Sequence, residues 1–184
     1  VLMLQDVLLT TAAAKAVRAR ARALYPEYTL YTHTPHLINT VRGKKEISRT
    51  AVFLHKGWAH AASPVGPDVL AKLGIPANVQ GHVQILRHED PFTGQRGVWI
   101  NVYSPTSDKL NEQIALREAL SRALTSLHPT PDFCVVGGDW NASLHRNQSR
   151  LAHSLSRTDQ HFKEWVRSTG LNLASGSCHT YFRV

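Results

Sequence analysis

Cysteine is scarce in this chain of 184 residues, which has only two. Two cysteines cannot form a disulfide framework, and Cys134 lies in an apolar run, where a free buried thiol is expected. Long hydrophobic runs are also lacking: stretches such as residues 133–136 are far shorter than the about 20 residues that span a bilayer. The first residues show neither a basic leader nor a small-residue cleavage site. These absences argue against a secreted disulfide scaffold and a membrane-spanning protein, and they favour a reducing, intracellular compartment.

Charged residues are few as well, at 18%, whereas hydrophobic residues make up 42%. This balance supplies enough apolar surface for a core and argues against disorder. The length suits one compact domain. The charges are unbalanced, with a net charge of +8 at pH 7. A basic chain favours a polyanionic partner, nucleic acid first and an acidic membrane surface second, although the charge could equally serve only solubility.

The eleven histidines do not indicate a zinc site. No pairs of cysteine or histidine recur at finger spacing, and no His-Glu-x-x-His sequence occurs. The acidic and histidine side chains at residues 88–90 fall on a predicted hairpin turn, where solvated charge is expected.

The hydrophobic pattern alternates short strands with helices. We predict strands at residues 1–5, 28–32, 50–54, 78–87, 97–103 and 133–136, and helices at residues 12–24, 107–127 and 159–169. Residues 33–47 are predicted to form a loop or weak hairpin, and residues 57–76 an irregular excursion. Arg117 and Arg122 are placed off the apolar face of their helix. The alternation, with hairpin-style connections, predicts a layered α/β sandwich with mixed sheets in one domain.

One segment carries the chemistry. The apolar strand at residues 133–136 continues into Gly137 and Gly138, followed by Asp139 and, two residues later, Asn141. Residues two apart at the end of a strand face the same side, so this carboxylate and carboxamide are expected to converge. Such hard oxygen ligands suit a divalent metal bound to phosphate. By composition alone, a plain turn is the competing interpretation.

Four segments in a fixed order carry a resemblance to a known superfamily. Residues 2–6 resemble its strand ending in Gln-Glu, residues 50–54 its Gly-Val-Ala-Ile-Leu strand, residues 99–105 its Asn-Val-Tyr-Ala-Pro strand, and residues 136–142 its Gly-Gly-Asp-Phe-Asn-Ala motif. The chain therefore resembles the endonuclease/exonuclease/phosphatase, or DNase I-like, superfamily. The resemblance implies a four-layer α/β sandwich with mixed, mostly antiparallel sheets.

The resemblance also implies a role for each matched residue. Asp6 takes the position of the family's metal-binding glutamate, one methylene shorter, and would bind Mg²⁺ or Mn²⁺. Tyr103 would contact the scissile phosphate. Asp139 would orient or deprotonate the attacking water, and Asn141 would hydrogen-bond the phosphate.

Two family elements are missing: a strand with a catalytic asparagine before the first segment, and a Ser-Asp-His motif near the end. We therefore expect residues 1–184 to be a single but incomplete domain of this type, weak or inactive by itself. A degenerate module that binds nucleic acid or protein, and a phosphatase acting on a small or lipid phosphoester, remain the alternatives.

Within the superfamily, the Gln-Asp-Val-Leu-Leu-Thr start resembles the apurinic and retrotransposon-type endonucleases most. This resemblance implies a nuclear DNA endonuclease from a non-LTR retrotransposon-like polyprotein with a reverse-transcriptase region, with RNA as the other substrate considered. Lys44 and Lys45, grouped with Arg49 in a basic loop, are candidate substrate contacts. His145 and Arg146, which follow the Asp139 motif, are candidates too.

Overall fold

The computed structural model describes residues 1–33, 36–40, 43–127, 130–142 and 156–172. It divides into two compact units, Val1–Asn141 and Ala142–Val184, and each is described by itself. The expectation of one domain over residues 1–184 stays a prediction. No helix among the described residues is long and apolar enough to span a membrane.

The elements follow in chain order: β1 (Leu2–Leu9), α1 (Thr11–Leu24), β2 (Tyr28–Thr32), β3 (His36–Thr40), β4 (Gly43–His55), α2 (Lys56–Ala59), β5 (Ala62–Pro64), α3 (Pro67–Lys72), α4 (Ala77–Gln80), β6 (Val83–Glu89), β7 (Arg96–Tyr103), α5 (Leu110–Thr125), β8 (Phe133–Asp139) and α6 (Arg157–Ser168).

The strands form two four-stranded sheets. The first has the order β1-β4-β2, with β3 paired to the beginning of β4, and every pair in it is antiparallel. The second has the order β5-β6-β7-β8, antiparallel except for the parallel pair β7–β8. The predicted mixed α/β architecture, mostly antiparallel, is confirmed.

The two sheets share a core. Val52 and Leu54 of β4 pack with Leu86 of β6 and Trp99 of β7, and all four side chains are buried. On the other side of the first sheet, Ala21 of α1 packs against strand residues in a second cluster, with Leu30 and Ala51 as its other buried members. Apolar burial on both faces of this sheet gives the layered arrangement that the alternating pattern predicts.

Polar side chains also join the sheets. Asn101 of β7 is fully buried, and its Nδ2 donates to the carbonyl oxygens of Leu4 (3.1 Å) and Ala51 (3.0 Å) in the first sheet. Its Oδ1 accepts from Gln5 Nε2 at 2.7 Å. Because buried polar groups are costly when unpaired, these bonds fix where β1 lies against β7.

Local signals explain several boundaries. The Thr10 hydroxyl accepts from Ala13 N at 3.2 Å and begins α1, which ends before Pro26. In the second unit, Ser156 and Asp159 form a capping box at the start of α6. Phe162 and Trp165 of that helix stack with ring centroids 6.0 Å apart.

Two expectations were wrong in part, and one open alternative is decided. Residues 78–80, predicted to begin a strand, belong to the short helix α4, and Pro76 lies at its N-cap. For residues 33–47 the hairpin alternative is the one found, since β3 pairs with the first part of β4. Arg117 is fully buried in α5 instead of lying off the packed face, and its Nη2 donates to Gln113 Oε1 at 2.7 Å.

Candidate active site

The parallel pair β7–β8 places Tyr103 beside Asp139 at the ends of the two strands. Gly138 precedes Asp139 with φ 139°, and a Cβ there would lie 1.9 Å from the Val102 carbonyl oxygen. Only glycine permits this approach of the two backbones. The pairing continues one step beyond the strands, where Ser104 N donates to Asp139 O at 2.8 Å. Both ends are therefore held by backbone hydrogen bonds.

Asn141 is joined to the same strand ends by its side chain and its backbone. Its backbone N donates to Asp139 Oδ1 at 3.0 Å, and its Nδ2 donates to Ser104 O at 2.7 Å. The predicted proximity to Asp139 is observed, but its predicted cause is wrong. β8 ends at Asp139, and Asn141 has φ 46°, so a left-handed turn and not strand alternation brings the two together.

Asp6 reaches the site from the first sheet through a bulge in β1. The register passes from the Gln5–Thr50 pair to the Leu9–Ser48 pair, so three residues of β1 lie opposite Arg49 alone. Asp6 and Leu8 have φ values of 54° and 47° within this bulge. Bulges turn side chains away from the regular pleat, and here the exposed Asp6 carboxylate turns toward Tyr103.

The environment of Tyr103 shows that both acids lie near it. Burial raises the pKa of its phenol most, and the negative charge of Asp6 raises it next. Arg49 lowers that pKa, whereas a hydrogen-bonding interaction with Asp6 and the charge of Asp139 raise it further. The hydroxyl is therefore protonated at neutral pH and can donate a hydrogen bond. The structure thus brings the four candidate catalytic and metal-binding residues together: Asp6, Tyr103, Asp139 and Asn141.

Two further residues border Tyr103 and were not assigned to this site from the sequence. Arg49 carries its guanidinium carbon 5.7 Å from the Tyr103 ring centroid. The His82 ring lies nearly parallel to that ring at 6.4 Å, and its Nδ1 is 2.6 Å from Tyr103 O. The sequence interpretation placed Arg49 in a basic loop and His82 inside a strand. For Arg49, the sequence signal was a charged residue just before the apolar run of β4.

Burial also determines the protonation state of His82. Burial has the largest effect and lowers the pKa of His82. The hydrogen bond to the Tyr103 carbonyl raises this pKa, and the positive charge of Arg49 lowers it. A neutral ring that donates from Nδ1 to this carbonyl keeps its lone pair on Nε2. His82 is therefore a neutral neighbour of Tyr103 at pH 7.

Two of the predicted substrate contacts belong to a strand, and the other two lie outside the described residues. Lys44 and Lys45 belong to β4, where they pair with Asn39 and Ile38 of β3. They lie on a strand and not in a loop, because the hairpin is longer than the sequence suggested. His145 and Arg146 lie outside the described residues.

The acids suit a loosely held hard cation. Within the described residues, no group of three or more His, Cys, Asp or Glu side chains is arranged to hold a metal ion. Mg²⁺ needs less, because it is commonly bound through one or two carboxylates, with water and substrate phosphate completing its shell. Asp6, exposed and close to Tyr103, fits that requirement.

Comparison with solved structures then gives the fold. The crystal structure of the AP endonuclease LMAP from Leishmania major aligns with a TM-score of 0.55 and 16% identity, over 91% of this chain and 56% of that one. The chain has the DNase I-like fold.

Other comparisons add little to this assignment. A D. rerio TDP2 humanized by 14 mutations aligns with a TM-score of 0.44 and 13% identity, over 94% of this chain and 53% of that one. The DNase I-like chain thus spans little more than half the length of either protein. No protein-family profile and no curated protein sequence matches it.

Proposed function

We propose that this chain is the catalytic portion of a divalent-metal-dependent phosphodiesterase that cleaves DNA. The observation that carries the proposal is the convergence of Asp6 and Asp139, from different sheets, on the protonated hydroxyl of Tyr103. An acid pair around a hydrogen-bond donor suits a phosphate with its metal ion and an attacking water. The DNase I-like fold, shared with an AP endonuclease, and the net charge of +8 support a nucleic-acid substrate.

Each residue has a role that follows from its position. Asp139 is exposed at the end of β8, so its carboxylate is available to orient or deprotonate the attacking water. Tyr103 keeps its proton and can donate to a phosphate oxygen, where negative charge develops in the transition state. Asn141, held by Ser104 O and by Asp139, fixes the turn beside them and places its carboxamide at the phosphate.

Asp6 would hold the metal ion. A bound Mg²⁺ or Mn²⁺ supplies charge neutralisation at the phosphate. The bulge in β1 is what brings this shorter acid to the site, because Asp6 has one methylene fewer than the glutamate of the family pattern. A Glu at this position would reach about 1.3 Å farther, roughly one covalent bond. A longer side chain would need less displacement of the β1 backbone to reach the site.

Supercoiled-plasmid nicking tests the proposal. We expect slow nicking by the purified chain that needs Mg²⁺ or Mn²⁺ and stops in EDTA. Asp139→Asn should lower the rate about 100- to 10,000-fold, the range for a lost general base. Asp68→Asn is the matched control, since Asp68 is an exposed acid on α3, which contributes no residue to the site. Nicking that Asp139→Asn leaves unchanged would contradict the proposal.

A degenerate binding module is the second candidate. Asp6 lies in a bulge with left-handed backbone and lacks a third acidic or histidine neighbour in the part of the chain that the structure describes. DNA binding that weakens with salt, without any nicking, would favour this module. Release of phosphate from inositol phosphates would favour a phosphatase instead. The retrotransposon-like origin and nuclear location are proposed on the sequence resemblance alone, and a reverse-transcriptase region in the same reading frame would support both.

A further inference from the structure

Arg49 is placed by the fold at the centre of the candidate site. It is the single residue of β4 opposite the bulge that carries Asp6, between the Gln5–Thr50 and Leu9–Ser48 pairs. Its guanidinium carbon lies 5.7 Å from the Tyr103 ring centroid. Its positive charge acts on both Tyr103 and His82. Arg49 therefore stands on the sheet opposite Tyr103, next to the position where the substrate phosphate is proposed.

Within the part of the chain that the structure describes, the guanidinium has no anionic partner. Among the described residues Arg49 forms no ion pair within 4.0 Å, and its buried Nε has no hydrogen-bond partner. A partly buried arginine loses hydration and normally recovers that loss through a carboxylate or phosphate. Its five donors form a planar fork that matches two oxygens of a phosphate group. A guanidinium without an anionic partner, beside the Tyr103 ring, suits the binding of a phosphate.

The sum of the charges at the site also favours an anion beside Arg49. Asp6 and Asp139 are two negative groups, Arg49 is one positive group, and the Tyr103 hydroxyl is neutral at pH 7. A phosphodiester brings one more negative charge, and Mg²⁺ brings two positive charges. These charges cancel only when Arg49 is included, because without it the two acids and Mg²⁺ form a neutral site that leaves the charge of the phosphodiester uncompensated.

We propose that Arg49 binds the phosphate on which the site acts, through its guanidinium, on the side of the Tyr103 ring. The proposal rests on the proposed function for its substrate, a nucleic-acid phosphodiester, but not for the binding of phosphate itself. Arg49 is then a catalytic residue that contacts the substrate, and not a generic contact to the DNA backbone. The competing role is purely structural, with Arg49 offsetting the two acids without touching an anion.

Inorganic phosphate is the probe that separates these roles. Proton–nitrogen NMR of the arginine side chains, with the Arg49 Nε–H signal assigned by its loss in Arg49→Lys, is followed while phosphate is added without metal. We expect a saturable shift of the Arg49 signal that chloride at equal ionic strength does not produce. No shift at Arg49, or the same shift with chloride, would overturn the proposal.

Substitutions extend the test to DNA. In EDTA, which prevents cleavage, Arg49→Gln should weaken binding of a short duplex about 10- to 100-fold, the range for a charge-assisted hydrogen bond to phosphate. Arg49→Lys, which keeps the charge and loses the fork, should fall between Arg49→Gln and the parent chain. Arg87→Gln is the matched control, because Arg87 is exposed on β6 and pairs with residues far from Tyr103. Equal losses for Arg49→Gln and Arg87→Gln would contradict a specific phosphate contact.

The outcomes distinguish this proposal from the proposed function. A phosphate-dependent Arg49 shift in a chain that never nicks DNA would support the anion site and reject the nuclease. Metal-dependent nicking that Arg49→Gln leaves unchanged in kcat and KM would support the nuclease and reject Arg49 as a catalytic residue. If Arg49→Gln fails to fold, as circular dichroism would show, Arg49→Lys and the phosphate titration of the parent chain still decide the question.

Discussion

At the end of the second sheet, Tyr103 and Asp139 lie in unbroken parallel register, and backbone hydrogen bonds continue past them to Ser104. Across the site, the first sheet delivers Asp6 from a bulge with two left-handed, non-glycine residues, Asp6 and Leu8. Left-handed backbone costs a non-glycine residue about 1–2 kcal/mol. The site therefore has a regular half, Tyr103 and Asp139, which strand pairing positions. It also has a bulged half, Asp6, whose strained backbone must be held in place by contacts with other parts of the fold.

The difference shows that the two halves depend on different residues. The regular half requires a glycine, because Gly138 lets β8 approach the β7 backbone. The bulged half requires a distant side chain, because Asn101 and Gln5 bind each other across the sheets just before the bulge. Substitutions that remove one of these two residues at a time should therefore affect the two halves of the site separately.

The largest effect is expected at Gly138. Gly138→Ala places a Cβ 1.9 Å from Val102 O in a backbone with φ 139°, so we expect a loss of about 3 kcal/mol or more in the free energy of unfolding, measured in urea. Gly94→Ala is the matched control, with φ 71° but open space around its Cβ, and it should cost only about 1 kcal/mol. Equal losses would mean that β7 and β8 do not approach as described.

The next effect is expected at Asn101, which connects the halves. Asn101→Ala leaves the carbonyl oxygens of Leu4 and Ala51 and the Gln5 amide without their buried partner. We expect a loss of about 2 kcal/mol in the free energy of unfolding. Asn111→Ala, an exposed amide on α5, is the control and should stay within about 0.5 kcal/mol. A stable Asn101→Ala variant would show that the sheets do not rely on this side chain.

Much of the regular half could be predicted from the sequence. Alternating residues predict β2 at Tyr28–Thr32 with the bounds that the structure has. The apolar run at residues 133–136 and the two glycines after it lead to Asp139, because strand patterns and glycine turns are local signals.

The bulged half could not be predicted in the same way. Nothing in the pattern of residues 2–9 shows that three residues of β1 lie opposite Arg49, because a bulge depends on the pairing with β4. The burial of Arg117 is also a matter of tertiary packing, since helical periodicity assigns it to an outer face. The resemblance of residues 2–6 to a family strand identified Asp6 as a site residue, but not how it reaches the site.

The central claim is that acids from both sheets converge on Tyr103, and the pKa of that phenol tests it most directly. In the folded chain this pKa is raised, so the unfolded chain loses the proton at lower pH and stability falls as pH rises past the ordinary tyrosine pKa. Carbon NMR of labelled tyrosine, with Tyr103→Phe for assignment, follows the titration in Asp6→Asn and Asp139→Asn.

We predict that both variants lower the Tyr103 pKa toward its ordinary value, Asp6→Asn more than Asp139→Asn, because the charge of Asp6 contributes more. An unchanged Tyr103 pKa in Asp6→Asn would contradict the shared site and, with it, the account of how this chain would act on a phosphodiester.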